Sequence, residues 1–81
     1  MTESTVKSDL VVDATGTWCP VPILRIADHL PRIEVGAVLE LLATDEAVLG
    51  DLPAWCRATG QEFLGFEIEL PVYRGYTRRT R

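Results

Sequence analysis

Eighty-one residues, 47% of them apolar and 25% charged, suit one small domain and leave no room for a second core or a deep pocket. A net charge of −4 argues against nucleic acid as a direct partner, because domains that bind it present a basic face. No apolar run reaches the length of a signal-peptide core or a membrane span, so the chain reads as a cytoplasmic protein with no membrane partner.

Residues 1–8 lack periodicity and are expected to form a flexible tail ahead of a single domain over residues 9–81. Leu10-Val11-Val12, set between Asp9 and Asp13, reads as a short strand rich in β-branched residues. Gly16 supplies the freedom that the following turn needs. Cys19-Pro20-Val21-Pro22 then opens a first helix, since prolines are tolerated in a first turn where N–H groups have no intrahelical partner. This places Cys19 at the N-cap. Ile23, Ile26, Ala27, Leu30 and Ile33 recur at spacings of three and four and form one apolar stripe, with Pro31 limiting the helix.

Ala37 to Ala43 is a second strand, with Leu39, Leu41 and Ala43 on one face and Val38, Glu40 and Leu42 on the other. Asp45 is placed to cap a short helical turn, and Gly50-Asp51-Leu52-Pro53 reads as a restart with Asp51 as the new cap. Val48, Leu52, Trp55, Cys56 and Thr59 make a second helical stripe that Gly60 ends. Phe66, Ile68 and Leu70 alternate with Glu67 and Glu69, a strand with one buried and one wet face. Pro71 breaks the run, and Val72 to Thr77 gives a last strand. The order predicts an α+β two-layer α/β sandwich, βαβαββ, with a four-stranded mixed sheet and both helices on one face. Glu40, Glu67 and Glu69 should then face water. A right-handed first βαβ unit brings the loop bearing Cys19 and the loop Thr44-Asp45-Glu46 to the same sheet edge, where ligands commonly meet open α/β sheets.

Of the two cysteines, Cys19 has the setting of a functional thiol. The positive end of a helix favours thiolate, but by less than a whole pKa unit, so near neutral pH most of the thiol stays protonated. The prolines remove donors that would hold an anion, and Asp13, Asp45 or Glu46 would raise the pKa if close. Such a sulfur suits a passive acceptor loaded by a partner; a small residue packed in a turn is the alternative. Cys56 shares a core stripe and reads as a structural residue. His29 reads as a surface residue, and neither thiol has neighbours at metal-ligand spacing, so no metal and no cofactor are expected. Without Cys-x-x-Cys, a thioredoxin-type dithiol oxidoreductase is disfavoured, and a cytoplasmic setting speaks against a disulfide. Arg74, Arg78, Arg79 and Arg81 crowd the end of the chain, as either a solvated strand edge or a docking patch.

The stretch Asp13-Ala14-Thr15-Gly16-Thr17-Trp18-Cys19-Pro20-Val21-Pro22 resembles the signature of the TusA/SirA-like sulfur carrier family, in which an aspartate, a glycine and Cys-Pro-x-Pro recur at this spacing. Asp45, Asp51-Leu52-Pro53, Trp55-Cys56 and Gly60 are similar to that family's second-helix segment, so the resemblance spans Asp9 to Thr77. It implies a fold similar to the C-terminal domain of translation initiation factor three. It also implies a persulfide carried on Cys19, with Asp13, Gly16, Pro20 and Pro22 as the supporting motif. The implied partners are a sulfur donor protein, a cysteine desulfurase or a rhodanese, and an acceptor protein in tRNA thiolation, molybdenum cofactor assembly or sulfur oxidation. The chain would act as a sulfurtransferase in the sense of a persulfide carrier, not an independent catalyst, and as a monomer. Asp45, Arg74, Arg78 and Arg79 are candidate partner contacts. Two other functions compete: a regulatory interaction module with an incidental cysteine, and a thiol reductase or peroxidase.

Overall fold

The structure is a computed structural model and describes residues 7–81. Four strands and two helices follow in the order β1 (Leu10–Ala14), α1 (Val21–His29), β2 (Val38–Ala43), α2 (Val48–Thr59), β3 (Glu62–Glu69) and β4 (Val72–Arg78), with a 3-10 turn at Leu30–Arg32 after α1. The sheet order is β1-β2-β4-β3; β1 and β2 are parallel and the other two pairings antiparallel. The expected mixed two-layer sandwich is therefore the observed one. Of the stretch expected as a tail, residues 1–6 lie outside the described residues, and Ser8 Oγ donates to Glu40 Oε1 at 2.9 Å.

The period-two pattern fixes which face is covered. Leu10, Val12 and Ala14 pair in register with Leu39, Leu41 and Ala43, and this face meets the helices. From α1 it receives Ile26, and from α2 Val48, Leu52 and Cys56, all at most 2% exposed. Burying each large apolar side chain contributes roughly 1.5–3 kcal/mol, so this shared stripe is the main force that seats both helices.

The structure departs from the sequence expectation at two helix starts. The second helix does not restart at Asp51; it runs unbroken from Val48 to Thr59 with Pro53 inside it. A proline in a helix interior costs about 3 kcal/mol, less than the burial of Val48, Leu52 and Cys56 on one continuous stripe supplies. The first turn is secured by Asp45, whose Oδ1 accepts the Ala47 N–H at 3.0 Å and whose carbonyl accepts the Val48 N–H. In α1 the N-cap is Pro20 and not Cys19. A β-turn closed by Val21 N–H to the Trp18 carbonyl keeps Cys19 outside the helix, and the Pro20 carbonyl accepts the first helical bond, from Leu24. A residue before proline is biased away from helical backbone, which favours that boundary.

The second face of the sheet is less open than its glutamates suggest. Glu40 is only 8% exposed, because Arg74 lies over it with Nη1 3.2 Å from Oε2. Glu67 accepts a hydrogen bond from the buried Tyr76 hydroxyl. Only Glu69 of the three is exposed as expected. At the far end of β3 the apolar alternation also leaves its cover: Phe66 packs on the core, but Ile68 and Leu70 are exposed where the strand outruns the helices.

Candidate functional site

The loop after β1 is shaped by short-range bonds that the sequence dictates. Asp13 Oδ1 accepts both the N–H and the hydroxyl of Thr15, at 2.9 and 2.7 Å, and these bonds hold its carboxyl below the ordinary carboxylate value. The Thr17 hydroxyl donates to the Ala14 carbonyl, and Gly16 sits at a φ of +77°, where a side chain would be strained. Arg25 of α1 reaches back to the Asp13 carbonyl. The chain then turns at Trp18 to Val21, with a cis peptide between Cys19 and Pro20 and with Pro22 buried.

Two bonds tie this loop to the one after β2, at the sheet edge where both were expected. Gly16 N–H donates to Thr44 Oγ1 at 2.9 Å, and Cys19 N–H donates to Asp45 Oδ2 at 2.9 Å. Asp45 thus serves two backbone donors at once, which keeps its own carboxyl below its usual range. The Cys19 thiol stays exposed.

Its surroundings are acidic. Asp51, in the first turn of α2, stands on the same side as the thiol and is the main reason its pKa is raised; desolvation and the charge of Asp45 add to this. Cys19, Pro22, Ile23, Asp45, Val48 and Asp51 line one shallow hollow. Sequence reasoning named Asp45 among the groups that would raise the thiol, but treated Asp51 as a helix cap. A helix begun at Val48 would have been the signal, since it brings position 51 to the same edge.

Exposed apolar side chains stand at this end of the sheet as well. Trp18 is 71% exposed directly before Cys19, and the β3–β4 turn, with Leu70 exposed, lies at the same edge because Ala43 pairs with Tyr73. The other candidate residues lie elsewhere. Arg74 is bound to Glu40 on the sheet face, and Arg78 pairs with Glu62 at 3.1 Å near the opposite end of β4. Arg79 donates to the carbonyls of Ile33 and Pro31 below the end of α1. Cys56 is 1% exposed, with its sulfur 3.5 Å from Thr77 Oγ1, and His29 caps the Arg25 carbonyl. Among the described residues no three His, Cys, Asp or Glu side chains gather as a metal site, and no helix is long and apolar enough to cross a membrane.

One accessible thiol, fixed by its backbone at the strand-end edge, and a second one buried in the core define a small α+β sandwich that offers one reactive cysteine. The chain belongs to the family of sulfurtransferase TusA, whose model matches residues 10–79. It is 35% identical over 71 residues to the sulfur carrier protein TusA of Pseudomonas entomophila, covering 88% of this chain and 89% of that one. It is 39% identical over 74 residues to YrkF of Bacillus subtilis, covering 91% of this chain but spanning only 40% of that relative. The fold matches a SirA-like protein of Desulfitobacterium hafniense with a TM-score of 0.76 at 22% identity, over 89% of this chain and 99% of that one.

Proposed function

We propose that this protein is a sulfur carrier: it accepts a persulfide on Cys19 from a donor protein and passes the outer sulfur to an acceptor protein. The observation that carries this reading is the exposed Cys19 sulfur, offered at the sheet edge by a loop whose backbone is pinned to Asp45. Its relatives' designation as sulfur carriers supports it.

The transfer balances without an oxidant or reductant. Cys19, as thiolate, attacks the outer sulfur of a donor persulfide R–S–SH; a new S–S bond forms on Cys19, the old one breaks, and the donor leaves as its thiolate. Delivery repeats the step with Cys19 as the leaving sulfur. Because its acidic surroundings keep the thiol protonated, the carrier depends on a docked partner for activation and is not an independent catalyst. The donor in this reading is a cysteine desulfurase or a rhodanese, met in the cytoplasm by a monomeric carrier. Trp18, next to Cys19 in the loop, gives such visitors exposed apolar surface.

The test is mass spectrometry after incubation with a cysteine desulfurase and cysteine. The intact protein should gain about 32 Da, one sulfur, removable by reductant. Cys19→Ser should abolish the gain and Cys56→Ser should keep it. Equal behaviour of the two variants would overturn the assignment.

A further inference from the structure

The Asp51 carboxylate takes no part in the sulfur transfer, yet it lines the same hollow as the Cys19 thiol. α2 runs unbroken from Val48, which sets Asp51 in its first turn and into the hollow that Cys19 lines. Three charged groups bear on the loop sulfur or its support: Asp51 from α2, Asp45 from the β2–α2 loop, and Arg25 from α1, which is spent on the Asp13 carbonyl. The α1 side of the hollow offers Pro22 and Ile23, with no charge. Asp45 already accepts two backbone N–H bonds, so Asp51 is the carboxylate available to the sulfur.

A carboxylate is no general base for this thiol. A carboxylate is a far weaker base than a thiolate, so the proton stays on sulfur and the carboxylate faces a neutral thiol. It stabilises the neutral thiol and opposes negative charge on the sulfur. We propose that Asp51 is a positioning residue that keeps Cys19 in reserve, slowing its reaction with free solutes both when empty and when loaded.

The loaded state follows from the same geometry, and this half rests on the carrier reading above. When a free thiol attacks the outer sulfur of a Cys19 persulfide, the S–S bond breaks and the electron pair goes to the inner sulfur, beside Asp51. The attacker becomes the new persulfide and its proton passes to solvent or to the departing Cys19. A leaving sulfur of higher pKa departs more slowly. The outer sulfur is separated from the inner one by an S–S bond of about 2 Å. One aspartate therefore restrains the empty thiol as a nucleophile and the loaded one as a leaving group.

The experiment measures the rate of Cys19 alkylation by iodoacetamide across pH, read by peptide mass spectrometry, for the wild type and for Asp51→Asn and Asp51→Glu. Circular dichroism checks that each is folded. Asp51→Asn should displace the profile to lower pH, with a several-fold gain in rate at pH 7 and an unchanged plateau at high pH; Asp51→Glu, which keeps a carboxylate, should move back toward the wild type. In a second arm, protein loaded by desulfurase should lose sulfur to free glutathione several-fold faster in Asp51→Asn. Superimposed profiles for wild type and Asp51→Asn would overturn the inference, as would a gain equal at every pH, which marks simple unmasking. Alkylation needs no persulfide, so this arm decides on Asp51 even if Cys19 takes no sulfur.

Discussion

The backbone N–H of Cys19 lies 2.9 Å from Asp45 Oδ2, and the other oxygen of that carboxylate accepts the Ala47 N–H at 3.0 Å. One side chain thus joins the loop that bears the sulfur to the turn that starts α2. Its ionised form is the one that can accept both bonds, and acid should undo the link.

The sign is fixed by the direction of the Asp45 shift. A carboxyl whose folded pKa lies below the ordinary 3.8 contributes order that is complete above that value and is lost as pH falls through the lower, folded one. In an NMR titration the Cys19 and Ala47 amides should move together, with a midpoint below 3.8, and Asp45→Asn should remove the transition. A midpoint at or above the ordinary value would refute the link.

Gly75 is expected to tolerate no side chain. A Cβ there would overlap Leu52 Cδ2 and approach Phe66 Cε1 to 3.0 Å, so Gly75→Ala should cost about 1–3 kcal/mol by overpacking. Leu52→Ala should cost about 2–5 kcal/mol by leaving a cavity. Because Leu52 is the obstruction, the double variant should lose less than the two single losses added together, measured by urea unfolding. Strict additivity would show that the two sites do not share that space.

Arg74 should behave as a structural residue. Its partner Glu40 has a side chain only 10% exposed, whereas the Arg74 side chain is 38% exposed. Arg74→Met would strand a nearly buried carboxylate and is expected to cost about 1–3 kcal/mol, and Glu40→Leu in the same chain should restore most of it. Thermal unfolding of the wild type and the two variants checks this; an innocuous Arg74→Met would show that the pair carries no stability.

Alkali should weaken the fold through Cys56. Burial pushes its thiol up, outweighing the opposite effect of Thr77. A folded pKa above the unfolded one contributes stability that is complete below about 8.5 and lost as pH rises through the folded value. In a Cys19→Ser background, the urea midpoint should therefore fall between pH 8 and pH 10, and fall less steeply with Cys56→Ala. Equal slopes would show that Cys56 does not titrate on unfolding.

The strands and the meeting of the two loops were legible because period-two patterns and one βαβ unit leave few alternatives. The turn at Gly16 and the helix start at the prolines were legible too, but the cap fell on Pro20 and not on Cys19, because the residue before a proline avoids helical backbone. The other failures depend on a neighbour distant in sequence. Pro53 looked like a break because its penalty is local, while the stripe that overrides it packs against β-strands on both sides of the helix. Glu40 looked wet because its alternation is local, while Arg74, which covers it, is two strands later in the chain. The same error hid Asp51: a false helix start turned a carboxylate that shares the thiol's hollow into a cap.

The irregularity between Phe63 and Gly65 in β3 has a use beyond its own pairing. β3 is an outer strand, and a bulge there, followed by Glu67 and Glu69, spoils the flat ladder that a foreign strand would need for lateral addition. The opposite border, β1, is only five residues long, with Asp9 just ahead of it and Asp13 within it. Both rims thus resist fibril-like stacking of one copy on the next.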